Sequence, residues 1–102
     1  MNIRAQNTIW KTSSNRALVL AISQLKNKRE IRNYLRDLLT ESEIKEFSAR
    51  WQAARMLDRN VPYTKIVKDT GLSSTTVARV QRWLQQGSNG YRLLIDRLNR
   101  KK

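Results

Sequence analysis

The sequence predicts an all-α protein of about six helices with a helix-turn-helix in its C-terminal part. Three observations carry that expectation. Apolar residues recur at three- and four-residue spacing in segment after segment, with no strand-like alternation anywhere. "LTESEIKEF" contains a capping box, Thr40 and Glu43, in front of an apolar run. "YTKIVKDTGLSSTTVARVQRWLQQG" reads as a short helix, a glycine turn and a second helix.

At 102 residues the chain has the length of one domain, and such a domain buries roughly two thirds of the surface its unfolded form exposes. Twenty-one Lys and Arg against eight Asp and Glu leave a net charge of +13. That imbalance exceeds what solubility requires and points to a polyanionic partner. The chain has no cysteine and no histidine. Disulfides, thiol nucleophiles, imidazole bases and the usual zinc or haem ligands are thereby excluded, and no metal site is expected. A reducing, cytoplasmic location is compatible with this composition. The longest apolar stretch, "ALVLAI" at 17 to 22, is broken by Ser23 and Gln24. A bilayer span needs about 20 apolar residues, so no membrane segment is expected.

The first 15 residues, "MNIRAQNTIWKTSSN", mix polar and basic side chains without a period and read as a flexible basic arm. Residues 16 to 102 then read as a single helical domain. From Arg16 to Leu25, Leu18, Ala21, Ile22 and Leu25 fall at helical spacing, and Val19 and Leu20 widen the apolar stripe. Such a helix needs cover on several sides, either from the same chain or from a second copy. Residues 27 to 39 place Ile31, Tyr34 or Leu35, and Leu38 opposite Arg29, Arg32 and Arg36, a basic amphipathic helix. After the capping box, Ile44, Phe47, Trp51 and Ala54 give the third helix an apolar face as far as Asp58, and Asn60, Val61 and Pro62 end it. Trp51 is expected in the core and Trp83 on its flank.

In the bihelical unit Ile66 and Val67 point inward, Gly71 takes the turn, Leu72 plugs the corner and Ser73 caps the next helix. On that helix Val77, Val80 and Leu84 lie at i, i+3 and i+7, while Thr75, Ala78, Arg79 and Arg82 face the other way. Gly87 closes it. Ser88 or Asn89 caps a sixth helix, with Tyr91, Leu94, Ile95 and Leu98 as its apolar side.

In a helix-turn-helix the second helix enters the major groove with its N-terminal end toward base edges. Ser74, Thr75 and Thr76 are small enough to let the backbone approach, and they donate to or accept from bases and phosphates. Arg79, one turn on, reaches guanine or a phosphate, and Arg82 a phosphate. With Ser73, Lys65 and Lys68 these make up the expected DNA-binding set. No carboxylate interrupts residues 70 to 86.

Residues 38 to 95, "LLTESEIKEFSARWQAARMLDRNVPYTKIVKDTGLSSTTVARVQRWLQQGSNGYRLLI", resemble the tryptophan repressor superfamily. The ending "RVQRWLQQGSNGY" is similar to the "RV" and "QxGxxGY" of its YerC/YecD-type members. "LLT" before an acidic helix start, "AR" in the third helix, and "TG" with "TxxRV" fall in order. The resemblance implies an all-helical, intertwined homodimer that reads a palindromic duplex operator and regulates transcription as a repressor does. It also implies an effector pocket. Arg50 and Arg79 match the two arginines that sandwich an indole in the tryptophan-responsive members, and Leu39 and Thr40 match pocket residues beside them. Four positions depart from that pattern. Val80 replaces a glycine, Trp83 a serine, Asp37 a leucine, and Pro62 a capping Ser or Thr. A valine fills the space a glycine leaves for a ring, so no tryptophan corepressor is expected.

The expected function is therefore sequence-specific double-stranded DNA binding by a homodimeric transcriptional regulator. The competing readings are a basic helical adaptor for an acidic protein and the DNA-binding part of a recombinase or transposase. No separate catalytic segment is visible among so few carboxylates, and no enzyme is expected. RNA binding lacks its usual aromatic pairs on a sheet or loops.

Overall fold

A computed structural model describes residues 8–100. A 3-10 turn, Ile9–Lys11, precedes six α-helices: α1 Ser13–Ser23, α2 Lys28–Leu38, α3 Glu41–Asp58, α4 Tyr63–Thr70, α5 Ser74–Gln86 and α6 Gly90–Arg100. No strand occurs among the described residues. The all-helical architecture and the helix count agree with the sequence-based expectation. The chain divides into two compact units, residues 1–44 and 45–102.

In the first unit the helical order begins earlier than the sequence suggests. Residues 8 to 15, expected as part of an arm, form the 3-10 turn and the opening of α1. Two side chains close this corner on the backbone, because Asn15 Nδ2 donates to the Ile9 carbonyl at 2.8 Å and Arg16 Nη1 to the Trp10 carbonyl at 2.7 Å. Residues 1 to 7 of that arm lie outside the described residues. α1 stops at Ser23 rather than Leu25, where the Gln24 and Leu25 amides make tighter bonds back to Ala21 and Ile22. Two side chains cap the start of α2. Asn27 Oδ1 accepts from the Glu30 amide at 2.9 Å, and Glu30 Oε1 accepts from the Lys26 amide at 2.9 Å. The apolar faces of both helices are exposed within one chain, Leu18, Val19, Leu20 and Ile22 on α1 and Ile31, Leu35 and Leu38 on α2.

The capping box at the start of α3 forms as the sequence requires. Thr40 donates its amide to Glu43 Oε1 at 2.9 Å, and the Glu43 amide donates to Thr40 Oγ1 at 3.1 Å.

The second unit holds every buried apolar residue among those described: Ala53, Ala54, Met56, Leu57, Ile66, Val77, Val80, Leu84 and Ile95. The buried face of α3 is thus Ala53, Ala54, Met56 and Leu57, so that of the expected row Ile44, Phe47, Trp51 and Ala54 only Ala54 is buried. Phe47 is 49% exposed, and Trp51 packs at the core's edge, stacked on Tyr91 with ring centroids 6.2 Å apart. The cover reaches only the C-terminal half of α3, so Phe47 stays exposed, while Ile44, which belongs to the first unit, is half-buried. The same holds on α6, where Ile95 is buried while Leu94 and Leu98 are exposed. Arg92 of α6 bonds Asp58 at the end of α3 at 2.6 Å and lies 3.7 Å from Asp96.

α4 begins after Pro62, which sits at the N-cap with extended ψ rather than in the first helical turn. It ends at Gly71 in the left-handed region, φ 77, whose amide donates to Val67. Thr70 Oγ1 donates to the Ile66 carbonyl at 2.7 Å and accepts from the Leu72 amide at 3.2 Å, so the corner is held from both sides. α5 ends at Gly87 in an extended conformation, its amide bonded to Trp83. The left-handed residue of that connection is Asn89, φ 71, directly before α6.

Two glycine substitutions separate these roles. Gly71→Ala places a Cβ at positive φ and is expected to cost about 1–2 kcal/mol. A Cβ added to Gly90 would meet no other atom within 4 Å, and Gly90 opens α6 without a positive φ. Gly90→Ala is therefore expected to be neutral or stabilising by up to about 1 kcal/mol. Urea unfolding followed by circular dichroism measures both.

Candidate nucleic-acid interface

α5 is held from behind by the fully buried Val77 and Val80 and by Leu84, which pack with Ile66 of α4 and the alanines of α3. Burial of this stripe turns the opposite face of the helix outward. Ser73 caps the helix, accepting from the Thr76 amide at 3.1 Å and donating to Thr76 Oγ1 at 3.0 Å. The four consecutive hydroxyl residues therefore divide into two pairs. Ser73 and the half-buried Thr76 bond each other at the cap, whereas Ser74 and Thr75 are exposed and their hydroxyls make no hydrogen bond among the described residues. Arg79 and Arg82 lie on the same outward side.

The charge balance around this face follows from how the acids of the second unit are spent. Glu46 pairs with Arg50 at 2.9 Å, Asp58 and Asp96 with Arg92, and Asp69 with Lys65 at 3.1 Å. Lys65 is thus partly neutralised by Asp69 one turn along α4. Among the described residues Lys68, Arg79 and Arg82 have no acidic partner. Exposed ion pairs add little to stability, but they decide which cations remain to face an anion.

Two features of the unit were not singled out in the sequence. The Lys65–Asp69 pair has readable i,i+4 spacing. The hydrogen bond from the Tyr63 hydroxyl to Gln81 Oε1 joins residues 18 apart and has no local signature at all.

The expected effector residues fall on both units. Leu39 is half-buried, and Thr40 is engaged in the capping box of the first unit. In the second unit Arg50 donates to Glu46 Oε2 at 2.9 Å, and its buried Nε has no hydrogen-bond partner among the described residues. Burial of Tyr91 pushes its phenol above the ordinary value of 10.0, an effect the positive charge of Arg50 opposes. Val80 is fully buried and Trp83 half-buried.

The family model described as "Trp repressor protein" matches residues 13–99. The chain belongs to the Trp repressor family. The chain is also similar to the uncharacterized protein YerC of Bacillus subtilis (strain 168), 37% identical over 78 residues, 76% of this chain and 75% of that protein. Two solved structures superpose closely. A TrpR-like protein from Eubacterium eligens ATCC 27750 gives a TM-score of 0.82 at 35% identity, covering 90% of this chain and 95% of that one. A candidate Trp repressor from Staphylococcus aureus gives 0.78 at 35% identity, covering 86% and 88%. Trp repressor-like membership and the helix-turn-helix of α4 and α5 make the protein a DNA-binding regulator in class. No helix among the described residues is long and apolar enough to cross a membrane.

Two measurements probe this unit. Ser73→Ala removes the cap of α5 and is expected to cost about 1 kcal/mol in urea unfolding. Tyr91 supplies a stability term through its raised phenol, because the folded state holds that proton more tightly than the unfolded chain. The term is complete below the unfolded value near pH 10 and is lost as pH rises through the higher folded value. Tyr91→Phe keeps the ring and removes the ionisation, so its thermal midpoint should fall less than that of the wild type as pH is raised from about 9 to about 11.

Proposed function

We propose that this protein is a homodimeric, repressor-like transcriptional regulator of the cytoplasm that binds a palindromic duplex operator without tryptophan. The observation that carries the reading is the outward face of α5. A capped helix start presents Ser74 and Thr75, with Arg79 and Arg82 behind them and no acid on the helix. In the groove Ser74, Thr75 and Arg79 meet base edges, and Ser73 and Thr76 hold the backbone that carries them. Arg82, Lys68 and Lys65 contact phosphates, Lys65 after parting from Asp69.

The second copy accounts for the apolar surface left open in one chain. α1, α2 and α6 together expose Leu18, Val19, Leu20, Ile22, Ile31, Leu35, Leu38, Leu93, Leu94 and Leu98. Monomeric proteins rarely leave so much apolar area in water. In the dimer, residues 16 to 102 act as one DNA-binding and dimerisation domain, and a second copy covers the apolar faces that each unit leaves open. Tryptophan does not fit this reading. The Val80 side chain is part of the core at 0% exposure, and it fills the room a ring would take against a glycine backbone.

Selection of a random duplex pool by the purified protein at near-physiological salt tests the proposal. Enrichment of a two-fold symmetric motif with half-sites about 10 bp apart is expected. A folded dimer that enriches no sequence overturns it. On the selected duplex, Arg79→Ala should cost about 1–3 kcal/mol and relax preference at one position of each half-site. Arg82→Ala should weaken all sequences alike and lower the salt slope by about 1. Adding tryptophan should leave affinity unchanged.

A further inference from the structure

The helix-turn-helix is tied at two places. One is the Gly71 corner. The other is a side-chain bridge from Tyr63, the first residue of α4, whose hydroxyl donates to Gln81 Oε1 in α5. Tyr63 is exposed and Gln81 half-buried, so this bridge lies at the rim of the unit and not in its core. A carboxamide is planar, with oxygen and nitrogen on opposite sides of its carbon. Anchoring Oε1 on α4 turns Nε2 away from α4, and no hydrogen bond among the described residues occupies that nitrogen.

The helical register locates the free nitrogen. At about 100° per residue, Gln81 falls on the flank of α5, between the buried Val77 and Leu84 and the half-buried Ala78 and exposed Arg82. An α-helix with its side chains is about 10–12 Å across, and the major groove is about 12 Å wide. A helix seated there reads bases with its outward face and meets the phosphate walls with its flanks.

The geometry points to Gln81 Nε2 as a donor to a backbone phosphate of the bound duplex, with Tyr63 as the positioning residue that holds the carboxamide in its donating orientation. The inference rests on the DNA-binding reading above. A neutral donor of this kind fixes how deeply and at what angle the helix sits while releasing no counterion. Tyr63 contributes by removing the rotational freedom the carboxamide would otherwise lose on binding.

The test uses full-length wild type, Gln81→Glu, Gln81→Ala, Tyr63→Phe and the Tyr63→Phe/Gln81→Ala double variant on the selected duplex. Glutamate still accepts from Tyr63 but loses the donor and sets a negative charge against the phosphate. Gln81→Glu should therefore bind about tenfold or more weakly while melting as the wild type does. Tyr63→Phe should weaken binding by about threefold, and in the double variant it should add nothing beyond Gln81→Ala. The salt slope of Gln81→Ala should equal that of the wild type. Methylphosphonate replacement of single phosphates gives a readout that a purely structural bridge does not move. At one position per half-site the difference between wild type and Gln81→Ala should vanish. The assignment is overturned if Gln81→Glu and Tyr63→Phe bind as tightly as the wild type, or if no phosphate position abolishes the difference. Wild type that binds no duplex specifically overturns the DNA-binding reading and this pair with it. Wild type that binds with all variants unaffected overturns the pair alone.

Discussion

Everything the outward face of α5 offers depends on how closely its inward face is packed. Val77 and Val80 are fully buried, as are Ile66 from α4 and Ala53 and Ala54 from α3. Alanine brings the least side chain of any residue with a Cβ, and Ala53 and Ala54 are buried in the same cluster as Ile66, Val77 and Val80. Interiors of this density resist added methylenes. The pair of alanines therefore limits what may sit at Val77 and Val80, and through them the orientation in which Ser74, Thr75 and Arg79 are presented. The side chains aimed at a partner are set by residues that never meet it.

Around this core the charges are arranged so that few of them cancel on the reading side. The carboxylates of the second unit's side chains are all held in ion pairs, two of them by Arg92, which joins the end of α3 to α6. Of the basic residues on α4 and α5 only Lys65 shares its charge with an acid among the described residues. Lys68, Arg79 and Arg82 thus stay exposed and unpaired among the described residues, part of a net charge of +13 that favours a polyanion. In the proposed function the hydroxyls near the helix start supply directional bonds and the arginines behind them reach and charge, while the Ser73 cap holds the first turn of the helix in place.

The two units differ in what stabilises them. Residues 45–102 contain the buried core, whereas α1 and α2 have well-defined ends, α2 starting on the Asn27 cap and stopping before the reciprocal Thr40–Glu43 cap of α3, over apolar faces that one chain leaves open. Local hydrogen bonding stops and starts these helices, but it does not bury them. That combination is the physical basis for the dimer in the proposed function.

How much was legible from residues alone depended on the range of the interaction. The capping box at Thr40, the cap at Ser73, the turn at Gly71 and the inward row Val77, Val80 and Leu84 are local, since each involves residues within about two helical turns. The sequence by itself determined these, along with the six helices and the position of the bihelical unit, because hydrogen-bonding geometry and helical period act along the chain. Only the tertiary structure decided which apolar residues find cover. It buried Ala53, Met56 and Leu57 in place of Phe47, and left Leu94 and Leu98 exposed. It also brought Tyr63 to Gln81 and Asp58 to Arg92. Those outcomes turn on where other helices end in space, and no periodicity along the chain encodes that.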